Sequence, residues 1–474
     1  MSVLPAAGVA FDTEVEIAIV GAGACGLVAA LAAHDAGTGA LVLERDPRPS
    51  GSTAMSSGMV PASVTTMQHG RGVTDSPELM AADIQHKAHD QNDASIVQTV
   101  ARASGPTIDW LAARHGVGFE LVEGFLYPGH SVLRMHALKE RTGAALMGAL
   151  LGAAERAGID VVGNARVETL FADGDGRVRG LRLVRPDGGS ETIGCAALVL
   201  ACSGFGGDAA MVARHIPEMA GAKYFGHAGN QGDAVRWGRA LGAAVGHMGA
   251  YQGHGSVAVP QEALISWALM MEGGFQVNAR GERFSNEHHG YSEQSVAVLA
   301  QPGQVAWNIY DARLHALGLT FEDYRNACEA GAARSADSIE ALAAQCGLPG
   351  EALAATLAHT RLLAAGQGED SFGRDFTGKP GLVAPFYAVK VTGALFHTQG
   401  GLIVDPRARV LRPDNVALPN LFAGGGAACG LSGETVDGYL SGNGLLSAVV
   451  LGAIAGRSAA ACAAAGTKPA SAPA

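Results

Sequence analysis

The chain has 474 residues, a length that suits two domains and allows a site at the interface between them. Hydrophobic residues make up 48% of the chain and charged residues 16%, which excludes a disordered protein. The net charge is −11 and there is no Lys/Arg cluster, so a nucleic-acid-binding surface is not expected. The seven cysteines form no C-x-x-C pair and no zinc spacing, so the sequence predicts neither a metal site nor a disulfide scaffold.

Glycine accounts for 67 residues, about twice its average share of roughly 7%. The glycines follow no three-residue period, which excludes a collagen-like chain. Two interpretations remain open at this point: many tight turns, or a backbone that must approach a ligand closely.

No targeting or membrane-spanning segment is recognisable in the sequence. The N-terminal residues lack the basic and apolar regions of a signal peptide. The longest apolar stretch, residues 445–455, has eleven residues and falls well short of the roughly 20 that span a bilayer. We therefore expect a cytoplasmic protein without a transmembrane segment, a buried helix over this stretch, and a mobile tail over residues 466–474.

A βαβ unit is predicted near the N-terminus. Residues 15–20 (VEIAIV) are typical of a strand inside a parallel sheet, and the following GAGACG matches G-x-G-x-x-G. Helix-forming residues 27–37 lead to a second strand-like run that ends at Glu44. The whole unit predicts a dinucleotide site, and the acidic Glu44 favours FAD or NAD over a phosphorylated ribose. The alternative is an ordinary Gly-rich turn between a strand and a helix.

The rest of the chain predicts a discontinuous α/β domain. Residues 196–208 and 420–430 are apolar strands that run into Gly turns, whereas the composition between residues 252 and 397 shifts towards His, aromatic and amide residues and then Ala-rich helices. We therefore predict a Rossmann-like dinucleotide-binding domain over residues 1–250 and 398–474, with an inserted α+β domain over residues 251–397.

Eight ordered blocks resemble the fumarate reductase and 3-ketosteroid Δ1-dehydrogenase group of FAD flavoproteins over nearly the whole chain. The blocks are GAGACG with Glu44-Arg45, GSTAMSSGM (51–59), LACSGFGGD (200–208), GNQGDAV (229–235), GGFQVNARGERFSNE (273–287), HTQGGLIVD (397–405), LFAGGG (421–426) and SGNGLL (441–446). The resemblance implies FAD as the cofactor, an inserted domain that acts as a cap, and a site between the two domains over the flavin.

The resemblance also implies which residues contact FAD. The expected cofactor-binding residues are Gly21, Ala22, Gly23, Ala24 and Gly26 at the pyrophosphate; Glu44 and Arg45 near the adenosine ribose; Val167 at the adenine; Ser52, Thr53, Ser57, Gly58 and Met59 along the flavin; Ala201, Ser203, Gly204, Asp233 and Gly425 in the later blocks; and Ser441, Asn443 and Leu445 at the start of the last helix. Family members with covalent flavin carry a His where this chain has Ser52, so non-covalent FAD is expected.

The substrate-binding positions differ from those of the fumarate reductases that the chain resembles. Those enzymes hold a dicarboxylate with two His and two Arg; here His254 and His397 occupy the His positions, but Tyr291 and Tyr439 replace the arginines. Losing two charge-assisted hydrogen bonds of about 1.5–3 kcal/mol each would weaken dicarboxylate binding at least a hundredfold. The two tyrosines resemble those of the ketosteroid dehydrogenases instead.

In that chemistry, one tyrosine and a backbone N–H donate to the ketone oxygen, and another tyrosine takes the α-proton while a β-hydride passes to flavin N5. By resemblance, Tyr439 is the electrophilic donor, with an N–H near Asn443, and Tyr291 is the base. Ionising a tyrosine of pKa near 10 at pH 7 costs about 4 kcal/mol, so a nearby His or Tyr127 is expected to share the proton.

The predicted activity is FAD-dependent α,β-dehydrogenation of a ketone or related carbonyl compound, cyclic or steroid-like, with an unidentified electron acceptor. Two alternatives stay open: a fumarate- or urocanate-type reductase, and a flavin-bound redox partner without small-molecule turnover. His397 has an alternative role in binding the flavin alone, and His254 a purely structural one. Arg283 and Glu287 are expected to fix the capping loop.

Overall fold

The computed structural model of the protein describes residues 1–466. From residue 467 onward the predicted mobile tail lies outside the described residues. The strands are β1 (Ser2–Pro5), β2 (Thr13–Val20), β3 (Ala40–Leu43), β4 (Val60–Pro61), β5 (Glu120–Leu121), β6 (Met135–Ala137), β7 (Asp160–Val162), β8 (Arg166–Ala172), β9 (Val178–Val184), β10 (Ser190–Leu200), β11 (Lys223–Tyr224), β12 (Val245–Gly246), β13 (Tyr251–Ala258), β14 (Ala263–Leu264), β15 (Phe275–Val277), β16 (Val305–Asp311), β17 (Ala333–Ala336), β18 (Phe386–Thr398), β19 (Gly401–Leu402), β20 (Arg409–Leu411) and β21 (Ala417–Ala423). The helices are α1 (Ala24–Asp35), α2 (Gly51–Ala54), α3 (Thr66–Gly70), α4 (Pro77–Lys87), α5 (Ala94–His115), α6 (Gly143–Arg156), α7 (Ala209–His215), α8 (Asp233–Ala240), α9 (Ala268–Met271), α10 (Tyr291–Leu299), α11 (Ala312–Gly318), α12 (Glu322–Glu329), α13 (Ile339–Cys346), α14 (Gly350–Ala364) and α15 (Asn443–Gly466).

The larger sheet contains the predicted βαβ unit at its centre. Strands β7, β3, β2, β10 and β21 lie side by side and parallel, and the antiparallel pairs β8–β9 and β9–β10 extend the sheet on one side. Residues 17–20 of β2 are buried, as expected of a strand covered on both faces. Because the strands are parallel, β2, β10 and β21 all end at one edge, which brings three Gly turns together.

Helix α15 packs against α1 and is longer than the sequence suggested. The sequence predicted a buried helix over residues 445–455, whereas α15 continues to Gly466. Gly456 lets the backbone pass close to the Ala29 carbonyl, and the Arg457 guanidinium lies over the Trp110 ring at 5.2 Å. Within the described residues, Asn443–Ala465 has the length and mean hydropathy, 1.7, of a membrane span, but 61% of that window is buried inside the protein. This burial is what a core helix requires.

The inserted segment forms a second, seven-stranded sheet in the order β14-β13-β18-β16-β15, with β11 and β17 also pairing with β18. Tyr251 pairs with Thr398, so the two ends of the segment lie side by side. The mixed α/β architecture with a cap is therefore confirmed. The division at residues 250/251 and 397/398 stays a prediction, and β11, which precedes it, already belongs to the second sheet.

A buried ionic cluster holds the loop before α10. Arg283 donates to Glu287 and Asp370, and Arg374 lies 3.1 Å from the Glu287 carboxylate. Burial acts to raise the pKa of Glu287, but the Arg374 and Arg283 guanidiniums outweigh it and lower that pKa to about 2. The cluster thus ties three segments of the second sheet's periphery together.

Candidate active site

The turn between β2 and α1 is built for close approach of a ligand to the backbone. Gly21 has φ +102°, and a Cβ there would lie 2.5 Å from the Ala201 carbonyl oxygen. A Cβ at Gly26 would collide with the carbonyl of Gly21, so α1 can start here only with glycine. The N-cap of α1, Gly23, provides no side-chain cap, which leaves a helix N-terminus available to an anion.

This turn opens into a cleft, here called the dinucleotide cleft, with about 840 Å³ of empty space including open solvent. The predicted cofactor-binding residues that line it are Gly21, Gly23, Ala24, Glu44, Arg45, Ser52, Thr53, Val167, Ala201, Ser203, Asp233 and Gly425. They come from segments spread over 400 residues of sequence, and the parallel strand ends bring them to one edge.

Glu44 and Ser52 are held in place within the dinucleotide cleft. Glu44 accepts from the backbone N–H groups of Ala22 at 3.0 Å and Asp46 at 3.1 Å, which leaves acceptor capacity for ribose hydroxyls. The Ser52 hydroxyl accepts from His227 N and Asn230 Nδ2, so it anchors the loop that precedes α8. His227 and Asn230 also line the cleft, although the sequence had pointed only to Asp233 in this block.

A second cavity, here called the tyrosine cavity, shares Ser52, Thr53, Ser203, Gly426 and Ala448 with the dinucleotide cleft. It holds about 1130 Å³ of empty space including open solvent. The predicted residues that line it are Tyr127, Tyr291, Tyr439, His254, His397, Ser52, Thr53, Ser57, Met59, Ser203, Ser441 and Leu445. All five side chains predicted to be catalytic therefore face one space.

Five residues predicted to bind the cofactor line neither cavity: Ala22, Gly26, Gly58, Gly204 and Asn443. Three of them are glycines whose role is to let segments pass closely, since a Cβ would strike the backbone of Gly21 or Thr142, or the Thr398 hydroxyl. Ala22 contributes only the N–H that binds Glu44. At these four positions the motif residues therefore allow close packing of the backbone and do not line the space available to a cofactor.

Asn443, which also lines neither cavity, has a side-chain amide without hydrogen-bond partners in the protein. Its side chain is fully buried, and neither its Oδ1 nor its Nδ2 has a hydrogen-bond partner in the protein. Buried amides are normally satisfied. An amide-bearing group such as the pyrimidine end of a flavin would supply the missing donor and acceptor, so the residues present fit FAD.

The aromatic residues of the tyrosine cavity are packed against one another. His254 stacks on Tyr291 with ring centroids 4.7 Å apart, and Tyr291 lies 6.1 Å from Tyr439 and 6.4 Å from Tyr127. The His397 ring lies 5.6 Å from that of Tyr439. Tyr291 begins α10 of the second sheet's domain, whereas Tyr439 lies just before α15, and the two side chains are close enough that each hydroxyl shifts the pKa of the other.

A hydrogen bond links Tyr439 to the first turn of α15. The Gly444 N–H donates to the Tyr439 hydroxyl oxygen at 3.4 Å. A Cβ at Gly444 would lie 2.5 Å from Nε2 of His397, so only glycine fits between the helix and the imidazole. This N–H is one residue beyond the position at Asn443 that the resemblance had suggested.

Burial governs the protonation of the cavity. It raises the pKa of Tyr291 well above its ordinary value, with the neighbouring Tyr439 adding to the effect, and it raises the pKa of Tyr127 to about 12. It also raises the pKa of Tyr439, against the opposing influence of the Gly444 N–H and Tyr291. All three hydroxyl groups are therefore neutral at pH 7 in the protein alone.

Both histidines are neutral as well. Burial lowers the pKa of His254 to about 3 and that of His397 to about 4. The Ser256 N–H donates to Nδ1 of His254 at 3.1 Å, so the proton of the neutral ring lies on Nε2. His254 consequently has no free lone pair with which to accept the proton of Tyr291 and acts only as a donor.

Among the described residues that line the tyrosine cavity, none is charged. The remaining side chains are apolar, amide-bearing or hydroxyl-bearing: Met55, Met135, Phe225, Leu264, Trp267, Phe396, Ala448, Gln252, Gln399, Ser56 and Ser266. Within residues 1–466 there is also no group of three or more His, Cys, Asp and Glu side chains that could hold a metal ion. The lining therefore offers neutral hydrogen-bonding groups among apolar walls.

The chain matches a known family and known structures. The model of the FAD binding domain family matches residues 16–445. NADH:fumarate oxidoreductase of Klebsiella pneumoniae (strain 342) is 29% identical over 450 residues; the match covers 94% of this chain but 47% of that protein, so the chain spans about half of its length.

Two solved structures are similar over nearly the whole chain. The open conformation of a flavocytochrome c3 fumarate reductase superposes with a TM-score of 0.79 at 30% identity, covering 97% of this chain and 80% of that one. The 3-ketosteroid-Δ4-(5α)-dehydrogenase of Rhodococcus jostii RHA1, in complex with 4-androstene-3,17-dione, gives a TM-score of 0.74 at 25% identity and covers 96% and 99% of the two chains.

Proposed function

Because the chain belongs to the FAD binding domain family and is an FAD-dependent oxidoreductase acting on carbon–carbon bonds, we propose a specific reaction for it. In this reaction the protein desaturates an uncharged ketone between the α- and β-carbons. The observation that carries the proposal is the uncharged lining of the tyrosine cavity. A carboxylate bound there would lose its hydration without gaining a cation, at a cost of several kcal/mol. A ketone needs only hydrogen-bond donors at its oxygen.

Tyr439 and Gly444 are the donors proposed for that oxygen. In the protein alone the Gly444 N–H donates to the Tyr439 hydroxyl oxygen at 3.4 Å; a ketone oxygen bound beside them would accept from the Tyr439 hydroxyl and share that N–H. Negative charge develops on the ketone oxygen as the α-proton leaves, so both hydrogen bonds strengthen in the transition state. The adjacent His397 and the helix N-terminus of α15 favour the same charge.

Tyr291 is the group proposed to take the α-proton. Its oxygen accepts the proton as the α-carbon–hydrogen bond breaks; the electron pair left behind forms the new double bond while the β-hydrogen departs with its own pair as hydride. FAD, when bound, supplies the acceptor for that hydride. Because burial disfavours the tyrosinate, only a small fraction of the protein is active at neutral pH, and the rate is expected to rise with pH.

A second candidate is a reductase of an activated carbon–carbon double bond. It is favoured by the presence of His254 and His397 in the tyrosine cavity, since the resemblance implies two His in the fumarate reductase site. The missing cations count against a dicarboxylate substrate, but an unsaturated neutral acceptor would still fit. A flavin-bound redox partner without turnover is the third candidate; a cavity of this size lined by three tyrosines beside the dinucleotide cleft supports it less well.

Anaerobic mixing of the FAD-loaded protein with a panel of compounds distinguishes the three. We expect saturated cyclic ketones, including 3-ketosteroids, to bleach the oxidised flavin near 450 nm. Bleaching by none of them, together with reoxidation of the reduced protein by unsaturated acids, would support the reductase. No response in either direction would support the redox partner. Non-covalent FAD is tested in the same preparation by release of the flavin on acid precipitation.

A further inference from the structure

An ion pair connects the two domains beside the tyrosine cavity. Lys87, the last residue of α4, pairs with Glu293 of α10 and also donates to the backbone carbonyl of His289 at 3.0 Å. The side chains are only 15% and 17% exposed. Residues 87 and 293 lie on opposite sides of the predicted domain boundary, so this contact crosses it.

The two anchor points of Lys87 bracket the start of α10, whose first residue is Tyr291. The N-cap, Gly290, has φ +149° and provides no side-chain cap. A Cβ there would lie 2.5 Å from Oε2 of Glu293, so the carboxylate packs directly against the turn. Glu293 also lies in the first helical turn, where the helix dipole favours a negative charge. Burial acts against this and raises the pKa of Glu293 to about 7, although Lys87 opposes the shift, so the contact combines a hydrogen bond with partial charge attraction.

The proposed reaction requires the first turn of α10 to be held in a fixed position, because the base and the hydrogen-bond donors belong to different predicted domains. Tyr291 is carried by α10 of the cap, whereas Tyr439 and Gly444 belong to the segment that completes the larger sheet's domain. The α-carbon is bonded directly to the carbonyl carbon. The distance between the Tyr291 hydroxyl and the donor pair must therefore be held within narrow limits.

We propose that Lys87 and Glu293 are positioning residues: they hold the first turn of α10 against α4 and so fix Tyr291 relative to Tyr439 and Gly444. The proposal rests on the proposed function for its effect on the rate, but not for the mechanical role of the pair. Neither side chain lines the tyrosine cavity or the dinucleotide cleft, so both act only through α10.

The informative variant is the double substitution K87M/E293Q. Either single change leaves a largely buried charge without its partner, whereas the double change removes both charges and keeps similar side-chain volumes. The control is K379M/E272Q, an ion pair whose two residues both lie within residues 251–397 and outside both cavities. The charge-swapped variant K87E/E293K serves as a rescue, since it restores an attraction across the same interface.

Two measurements are made on the FAD-loaded proteins at equal flavin content. In the first, hydrogen exchange is followed at the amides of residues 294–298, and we expect at least tenfold faster exchange in K87M/E293Q than in the control. In the second, flavin reduction by a ketone is followed anaerobically. We expect the limiting rate to fall roughly ten- to a hundredfold with the ketone Kd changed less than about threefold, because misplacement of a base affects the chemical step.

An α-deuterated ketone separates positioning from general loosening. A misplaced base makes proton abstraction slower, so the isotope effect on flavin reduction should increase in K87M/E293Q and return towards the wild-type value in K87E/E293K. Unchanged exchange at residues 294–298 would overturn the proposal, as would faster exchange with a wild-type rate. If none of the ketones reduces the flavin of the wild-type protein, the proposed function fails. The exchange measurement then still decides whether the ion pair holds the first turn of α10.

Discussion

Replacing Tyr439 with phenylalanine removes one hydroxyl group from the centre of the tyrosine cavity. The ring keeps its position, because its contacts with Tyr291 at 6.1 Å and His397 at 5.6 Å involve the ring faces and edges. Tyr439 does not line the dinucleotide cleft, so Tyr439→Phe should bind FAD as the wild-type protein does. What is lost is one of the two donors proposed for the ketone oxygen.

The size of the effect follows from the geometry. Gly444 N and the Tyr439 hydroxyl lie 3.4 Å apart, so the substituted protein keeps the N–H but loses the stronger donor. Removal of one donor to a developing oxyanion lowers kcat by about 10²- to 10³-fold, or about 3–4 kcal/mol. The folded state should lose no more than about 1 kcal/mol, since the missing hydrogen bond is long.

The assay is anaerobic stopped-flow reduction of the bound flavin by the best saturated ketone. Tyr387→Phe is the matched control, because Tyr387 lies on β18 and stacks on Tyr310 and His315 outside the tyrosine cavity. We expect the control to react at the wild-type rate. A rate for Tyr439→Phe within threefold of wild type, at equal flavin content, would refute the assignment of this hydroxyl as the donor.

Three further outcomes are expected. Gly26→Ala should abolish FAD binding, measured by flavin fluorescence, because its Cβ would collide with the carbonyl of Gly21. Glu287→Gln should lower the free energy of unfolding, measured by urea denaturation, by about 3–5 kcal/mol. The substitution removes the buried negative charge that pairs with both Arg374 and Arg283. Burial lowers the pKa of His254 to about 3, so between about pH 6.5 and 3 only the unfolded chain binds a proton at this residue, and the stability of the folded protein falls as the pH drops. His254→Gln should reduce this acid-induced loss of stability, which is measured as the difference between the urea midpoints at pH 7.5 and pH 5.

Local patterns were enough to predict the dinucleotide-binding half of the protein. The strand over residues 15–20, the Gly turn and the acidic end of the next strand lie close together in the sequence. Each is recognisable from its own residue types, because burial, a tight turn and ribose binding each require particular side chains at that position. The sequence predicted a helix end at Gly37; α1 ends at Asp35 with Ala36 as its C-cap, and Gly37 follows in the left-handed conformation. The helix predicted over residues 445–455 was too short, because α15 continues through Gly456 and Arg457, whose contacts with Ala29 and Trp110 no local pattern reveals.

The tyrosine cavity shows the limit of such prediction. Tyr291 and Tyr439 were identified one at a time through the resemblance, but their meeting in one cavity depends on the packing of two distant segments. The tautomer of His254 depends on a single backbone N–H two residues away, which a composition pattern does not reveal. The sequence left open which His near Tyr291 could share its proton, and the tautomer makes His254 a donor.

The sequence by itself was enough to predict FAD as the cofactor, in agreement with the family match, and the glycines that opened two interpretations are, at positions such as Gly21 and Gly26, sites where no Cβ fits. Only the tertiary structure decided that the substrate space is uncharged and that Lys87 reaches Glu293. The physical reason is separation along the chain. Charge neutrality of a cavity and an ion pair between residues 206 apart are properties of the folded surface and of no single segment.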